Sequence, residues 1–423
     1  MTKIALIGLL AALTLFFTPC AQAQLRLPSG VSGLPDLGRQ LRNDGLLVRR
    51  QLDTALAPLN LQGLGDQLLA QHPRELTRNA AGELIVRRQL LALPSRPAAR
   101  ARLLALPEVA LIEETTLDGL DISWLLLRAE VGLLARLRAL DPDGTYDYQH
   151  LYLGSGDVGG SSPTHKTTGL ATTASSARVG LIDSGIDGQH PALRHAHVQR
   201  FGCGSTAHPA AHGTAVASLL IGDDIGKFRG ALPGATLYAA DAYCDAADGG
   251  SVQAIAQSLA WLARERVGVI NISLVGPPNA LLQRAVAAAQ AKGHLIVAAV
   301  GNDGPTAPPL YPAAWPGVVA VTGVDTRRRV LAEAGRGPHV VLAAPGSEMV
   351  GAGRGNDYVV LRGTSFAAPL VAGMLAASLP QADVARAAET LSALRSQAVD
   401  VGAAGHDDVY GWGLVGEALR NKP

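Results

Sequence analysis

With 423 residues, 48% of them hydrophobic and only 17% charged, the chain is a folded globular protein too long for one compact core. Lys+Arg (36) and Asp+Glu (35) cancel to a net charge of +1, which excludes the electrostatic footprint of a nucleic-acid or anionic-membrane binder. An aromatic content of 4% likewise excludes a surface built for stacking on bases or sugars.

The chain opens with Lys3, an apolar stretch over 4–17 and Ala21-Gln22-Ala23, the pattern of a signal peptide over residues 1–23. The apolar run is shorter than a bilayer requires and Pro19 interrupts it, so no membrane anchor is expected. Lipidation at Cys20 is disfavoured because Phe17 and Pro19 stand where small residues fit. The mature protein is thus expected outside the cell or in the periplasm, where disulfides persist. Once Cys20 is removed, Cys203 and Cys244 remain, either as one bridge between residues 41 apart, worth about 4 kcal/mol by chain entropy, or as two buried thiols. Neither has neighbours in zinc-ligand spacing.

Residues 24–80 show no sustained hydrophobic period and no chemistry can be assigned to them. From 81 to 153 the pattern predicts strand 83–93, helix 97–106, strand 108–114, strand 121–129, helix 131–140 and strand 145–152. That βαββαβ order predicts a small α+β, ferredoxin-like unit. A stretch of small residues over 154–173, GSGDVGGSSPTHKTTG at its core, reads as an exposed linker. Over 174–423 the composition shifts to Gly, Ala and Val, and strands alternate with helices. The expected strands are 178–183, 236–243, 267–273 and 294–299, and the expected helices 213–221, 251–264 and 279–292. Such alternation predicts an α/β domain, doubly wound around a mainly parallel sheet with helices on both faces. Ligands bind such sheets outside the carboxyl ends of the strands.

Three reactive side chains fall at such positions. Asp183 ends the strand RVGLID, His212 opens the helical segment HGTAVAS, and Ser365, in GTSFAAP, starts an apolar helix. Singly, each is the kind of residue that caps a turn or a helix. Together they supply a nucleophile, a base to take its proton, and an acid to orient that base. Asn302, in AAVGNDG, follows a buried strand, so its amide and the backbone N–H of Ser365 form a candidate oxyanion hole.

These blocks, LIDSGIDGQHPAL, HGTAVAS, INISLVG, AAVGNDG and GTSFAAPLVAG, resemble the subtilisin-like serine peptidases in residue type and in Asp, His, Ser order. The resemblance runs from Arg178 to about Gly416, where YGWGLVGEAL looks like the family's closing strand and helix. It implies a serine endopeptidase acting on protein or peptide substrates through an acyl-enzyme. It also implies a zymogen whose 81–153 unit acts as propeptide, an intramolecular chaperone and inhibitor. By the same resemblance Ser273, Leu274, Val275 and Gly276, with Gly249, Gly250 and Ser251, pair with an extended substrate. Val275 stands where the family has glycine, which narrows the adjoining pocket towards small side chains at the cut residue. Ala215 and Leu370 stand where many relatives carry histidine. Calcium sites are frequent in the family, but no acidic cluster here compels one, and no cofactor is expected. The alternatives are a peptide-ligase or specialised processing enzyme, and a non-catalytic peptide binder on the same fold.

Overall fold

The computed structural model describes residues 61–154, 156–161, 176–223 and 228–423. The expected signal peptide, residues 24–60, and residues 155 and 162–173 of the expected linker lie outside the described residues.

Helix α1 (Leu61–Gln71) comes first, followed by a short strand β1 (Leu76–Arg78). The expected βαββαβ unit follows as β2 (Leu84–Leu93), α2 (Pro97–Leu104), β3 (Ala110–Leu117), β4 (Ile122–Arg128), α3 (Leu134–Leu140) and β5 (Thr145–His150). Pairing is antiparallel throughout, with β4 between β2 and β3, β5 along the opposite edge of β2, and β1 beside the first residues of β2 on the side away from β5. This is the strand arrangement of a ferredoxin-like plait. Its core gathers Leu90, Leu103, Leu125, Leu127, Leu137 and Tyr146, contributed by alternate strand positions and the inner faces of both helices.

Where the sequence predicts an exposed linker from Gly154, the described residues instead form two strands, β6 (Leu153–Gly154) and β7 (Asp157–Ser161). Both find backbone partners in the larger domain, β6 in β12 and β7 in β17.

The larger domain is built on β8 (Arg178–Asp183), β9 (His197–Phe201), β10 (Thr236–Asp241), β11 (Val269–Ile272), β12 (Leu274–Val275), β13 (Leu295–Ala299), β14 (Val319–Val324), β15 (Val340–Pro345), β16 (Met349–Ala352) and β17 (Tyr358–Arg362). Seven of these form one sheet in the order β15-β14-β13-β11-β8-β10-β9, every pair parallel. Five helices accompany it: α4 (Ala211–Ile221), α5 (Val252–Arg264), α6 (Ala280–Ala291), α7 (Thr364–Ser378) and α8 (Val384–Ser396). Alternate residues of each central strand go to opposite faces. Ile182, Ile270, Ile272 and Ile296 pack with α5 and α6. Leu181, Val269, Val297 and Val321 pack with α4 and α7. Burial on both faces explains why these strands read as continuous apolar runs rather than alternating ones.

From β8 the chain winds towards β10 and β9, then returns across β8 to β11 and β13. The reversal places the carboxyl end of β8 at a switch point, where parallel sheets open a crevice. Beyond Tyr410 the expected closing strand and helix are reduced to isolated bridges through Leu414 and a single 3-10 turn, Glu417–Leu419. Among the described residues no helix is long and apolar enough to cross a membrane.

Candidate active site

Asp183 is the last residue of β8 and fully buried. Its Oδ1 accepts from the Ser184 amide at 2.7 Å, the Ser184 hydroxyl at 3.1 Å and Nδ1 of His212 at 2.8 Å. A carboxylate held by three donors fixes the imidazole with its proton on Nδ1, leaving Nε2 to act as a base. Ser184 Oγ also accepts from the Gly213 amide at 3.0 Å, so one hydroxyl ties the acid to the start of α4, which carries His212. A side chain at Gly213 would collide with the backbone of Ser184 and Gly185, which is why glycine follows the histidine.

Ser365 is the second residue of α7 and fully buried. Its Oγ donates to the Ser273 carbonyl at 3.3 Å, while its own carbonyl accepts from Ser273 Oγ at 3.0 Å. Asn271 Nδ2 donates to that same hydroxyl at 2.9 Å. The second bond has a cause in the sequence: Pro369, four residues on, lacks the N–H that would normally take the Ser365 carbonyl. The ring of Phe366 lies 5.5 Å from that of His212, so α7 brings the serine and the histidine to the same rim.

Asn302 follows β13 and Gly301, whose φ of +92° favours glycine. Its Oδ1 accepts from the Thr364 amide at 3.1 Å, and Thr364 Oγ1 accepts from the Gly301 amide at 3.2 Å. These bonds orient the amide. Nδ2 of Asn302 is buried with no acceptor among the described residues, the state of a donor held ready for charge that develops during reaction.

The crevice between these groups holds the protein's own chain. Leu151 bridges to Ser251, the Tyr152 amide donates to the Gly250 carbonyl at 2.8 Å, and β6 pairs antiparallel with β12, Leu153 opposite Val275 and Gly154 opposite Leu274. Residues 151–154 therefore form the middle strand between Gly250-Ser251 and Leu274-Val275, the arrangement of an extended peptide added to free strand edges. A Cβ on Gly154 would stand 3.2 Å from the His212 ring, and one on Gly156 would stand 2.8 Å from the Phe366 ring. The chain then leaves the crevice as β7, paired with β17.

Tyr152 is fully buried. Its ring lies over Gly276, its hydroxyl donates to the Pro277 carbonyl at 2.6 Å, and its carbonyl accepts from the Tyr243 hydroxyl at 2.7 Å. Burial, with the Asp183 charge nearby, pushes the Tyr243 hydroxyl up, so it stays protonated and can donate.

The structure thus brings Asp183, His212, Ser365 and Asn302 to one crevice, and sets Gly250 and residues 274–276 along its banks. Ser273, expected on the substrate strand, gives its side chain to the Ser365 carbonyl and immediately precedes β12. Sequence reasoning missed the supporting groups Ser184, Asn271, Thr364 and Tyr243; their only signal is proximity in the fold. Cys203 and Cys244 form a disulfide, with Cα atoms 5.1 Å apart. Among the described residues the one grouping of three side chains with metal-ligating atoms, Cys203, Asp241 and Cys244, has both sulfurs in that bond and so offers a single carboxylate.

The subtilase family model matches residues 174–413. Subtilisin DY of Bacillus licheniformis is 32% identical over 245 residues, 56% of this chain and 88% of that protein. Subtilisin Savinase of Lederbergia lenta is 34% identical over 259 residues, 60% of this chain and 93% of that protein. Among solved structures, fervidolysin from Fervidobacterium pennivorans, a keratinolytic enzyme related to subtilisin, aligns with a TM-score of 0.65 at 20% identity, over 79% of this chain and 60% of that one. At that identity the likeness is one of fold.

Proposed function

The chain belongs to the subtilase family of serine proteases, and from that premise we propose that it is a secreted or periplasmic endopeptidase made as a self-processing zymogen, with Asp183, His212 and Ser365 as its triad. One observation carries the reading: residues 151–154 lie as a strand in the crevice with Gly154 against a histidine that donates to Asp183 at 2.8 Å. The chain passes His212 at Gly154 and Phe366 at Gly156, and in this reading the self-cleaved bond is one of the two between these glycines.

In this mechanism Ser365 Oγ attacks the carbonyl carbon as His212 Nε2 takes its proton, and Asp183 stabilises the imidazolium. Asn302 Nδ2 and the Ser365 amide receive the oxyanion. Collapse expels the amine, which takes the proton from His212, and leaves an acyl group on Ser365. Water, deprotonated by His212, then attacks the acyl carbon, and the serine leaves with that proton. These groups supply nucleophile, base and oxyanion donors, so the reading assigns no cofactor. The plait, before and after the cut, is the internal inhibitor. Val275 gives a preference for small side chains at the cut residue.

The test combines mass spectrometry of the N-terminus with labelling by a fluorophosphonate. The purified full chain should acquire an N-terminus at residue 155 or 156 and label at Ser365, and the mature form should favour peptides with small residues before the cut. Ser365→Ala should abolish labelling and self-processing, with turnover down about a millionfold, the loss known for subtilisin itself. Efficient processing of isolated Ser365→Ala chains would refute self-cleavage, and absence of labelling would favour a peptide binder.

A further inference from the structure

The plait and the strand it feeds into the crevice do not exhaust what covers the site. Helix α1, from the stretch to which the sequence assigned no chemistry, lies over the same crevice. Leu61, Leu64 and Leu68, spaced for one helical face, pack with Leu69 against Leu76, Leu84, Val86, Leu151 and Leu153. Leu64 and Leu68 also line a cavity of about 400 Å³ whose other walls include Gly154, Asp183, His212 and Tyr243. The helix therefore roofs the space over the catalytic histidine and sits on top of the strand in the crevice.

Its attachments differ at its two sides. On the plait side, Arg78 of β1 donates to the Asp66 carboxylate, and to the Gln62 carbonyl at 3.4 Å. The buried Gly65 leaves room for this guanidinium, since a Cβ there would stand 3.2 Å from Arg78 Nη2. On the peptidase side, the Leu61 amide donates at 2.9 Å to Oδ1 of Asp303, the residue next to Asn302. First-turn amides of a helix have no intrahelical acceptor, and a carboxylate is the favoured partner there. Burial pushes the Asp303 carboxyl up while the Leu61 amide opposes that shift, as expected of an acid covered by the helix it caps. An 11-residue helix spans about 16 Å, and its last residue, Gln71, lines the same cavity as Tyr243.

We propose that α1 is a second inhibitory element, a helical roof fastened to the peptidase domain at Asp303, so that cutting the chain between Gly154 and Gly156 does not by itself open the site. The inference rests on the reading of the chain as a self-processing peptidase. Its physical basis is that the cut severs only the strand. Leu151 and Leu153 stay beneath Leu64 and Leu68, and the bond to Asp303 is untouched. A substrate needs both the strand's place along Leu274-Val275 and the space under the roof. It gains them only when α1 and the plait leave together, coupled through Arg78.

Two measurements on the full chain test this. With Ser365→Ala in place to prevent cutting, hydrogen exchange is compared with and without Asp303→Ala. Amides of residues 61–65 should exchange about fivefold faster without the carboxylate, and those of α7 should not change. Unchanged rates at 61–65 overturn the docking, whatever the chemistry of the site. With Ser365 intact, N-terminal mass spectrometry dates the cut, and hydrolysis of a small chromogenic peptide dates the opening. Hydrolysis should lag the cut, and the lag should shorten about threefold or more in Asp303→Ala and in Leu64→Gln/Leu68→Gln. Cutting and opening at the same moment, or a lag that neither variant shortens, overturns the proposal. Failure of the peptidase reading looks different: no chain is cut and none hydrolyses the peptide, while the exchange comparison still decides whether Asp303 holds α1.

Discussion

At the scale of single residues, the site is a set of reactive groups whose unreacting atoms are already committed. Asp183 spends Oδ1 on three donors, and Asn302 spends Oδ1 on Thr364, so each presents its remaining atom in one orientation. Such prior commitment is what allows a donor to act without reorganisation. Asn302→Leu should therefore lower kcat about a hundredfold to a thousandfold with KM little changed, because the lost bond forms only in the transition state. A matching rise in KM would show that Asn302 holds the ground state instead. The four residues to which the proposal gives the chemistry stand out in the sequence because each lies in a short block whose neighbours are constrained too: Gly213 by the approach of Ser184, Gly301 by its positive φ. Their supports were not legible. Ser273, held in turn by Asn271, reaches Ser365 across 92 residues of chain, and a hydroxyl in a sequence does not announce the carbonyl it will meet.

At the scale of elements, the start of α7 decides where Ser365 stands. Gly363, with φ +139° and ψ 162°, turns the chain from β17 into the helix in a conformation open to glycine alone. Two residues later the carbonyl freed by Pro369 is caught by Ser273. The helix is thus pinned at a backbone atom of the reactive residue itself. Gly363→Ala should cost about 1–3 kcal/mol of stability and lower kcat, because relieving the strain moves the first turn of α7. Ser273→Ala should cost about 1–2 kcal/mol by removing the buried hydroxyl that links Asn271 to the Ser365 carbonyl. Denaturant unfolding in a Ser365→Ala background separates these costs from autolysis; a neutral Gly363→Ala would mean that the turn is not strained. Elements with a clear period were readable within one to three residues. β6 and β7 read as linker because their pairing depends on partners far along the chain, at Leu274–Val275 and Tyr358–Arg362, rather than on their own pattern.

At the scale of the whole molecule, the plait is joined to the peptidase domain by polar contacts as well as by the strand in the crevice. Asn279 caps α6 through Oδ1, while its Nδ2 donates to the Tyr148 carbonyl and to His150 Nδ1, both at 2.9 Å. The Asp147 carboxylate accepts from the Ala280 amide at 2.8 Å, at the positive end of the same helix. The stability of the peptidase domain itself carries a separate pH signature. His190, His294 and His339 all have pKa values pushed down, in each case chiefly by burial. For His190 the geometry shows why the neutral ring is required: Nδ1 accepts from the Ala192 amide at 3.1 Å while Nε2 donates to the Asp357 carbonyl at 3.0 Å. A second proton would have to displace the amide. The unfolded chain takes up protons at these positions near pH 6.5, above the folded values, so between the two it binds more protons than the folded protein. The stabilisation is complete above about pH 6.5, is lost as the pH falls towards the folded values, and levels off below them. Thermal unfolding of the Ser365→Ala chain should therefore show a midpoint that declines from pH 8 to pH 5, and His190→Gln should make that decline shallower while lowering the midpoint at pH 8. A midpoint that is flat or rises on acidification would mean that the buried imidazoles do not govern stability in this range.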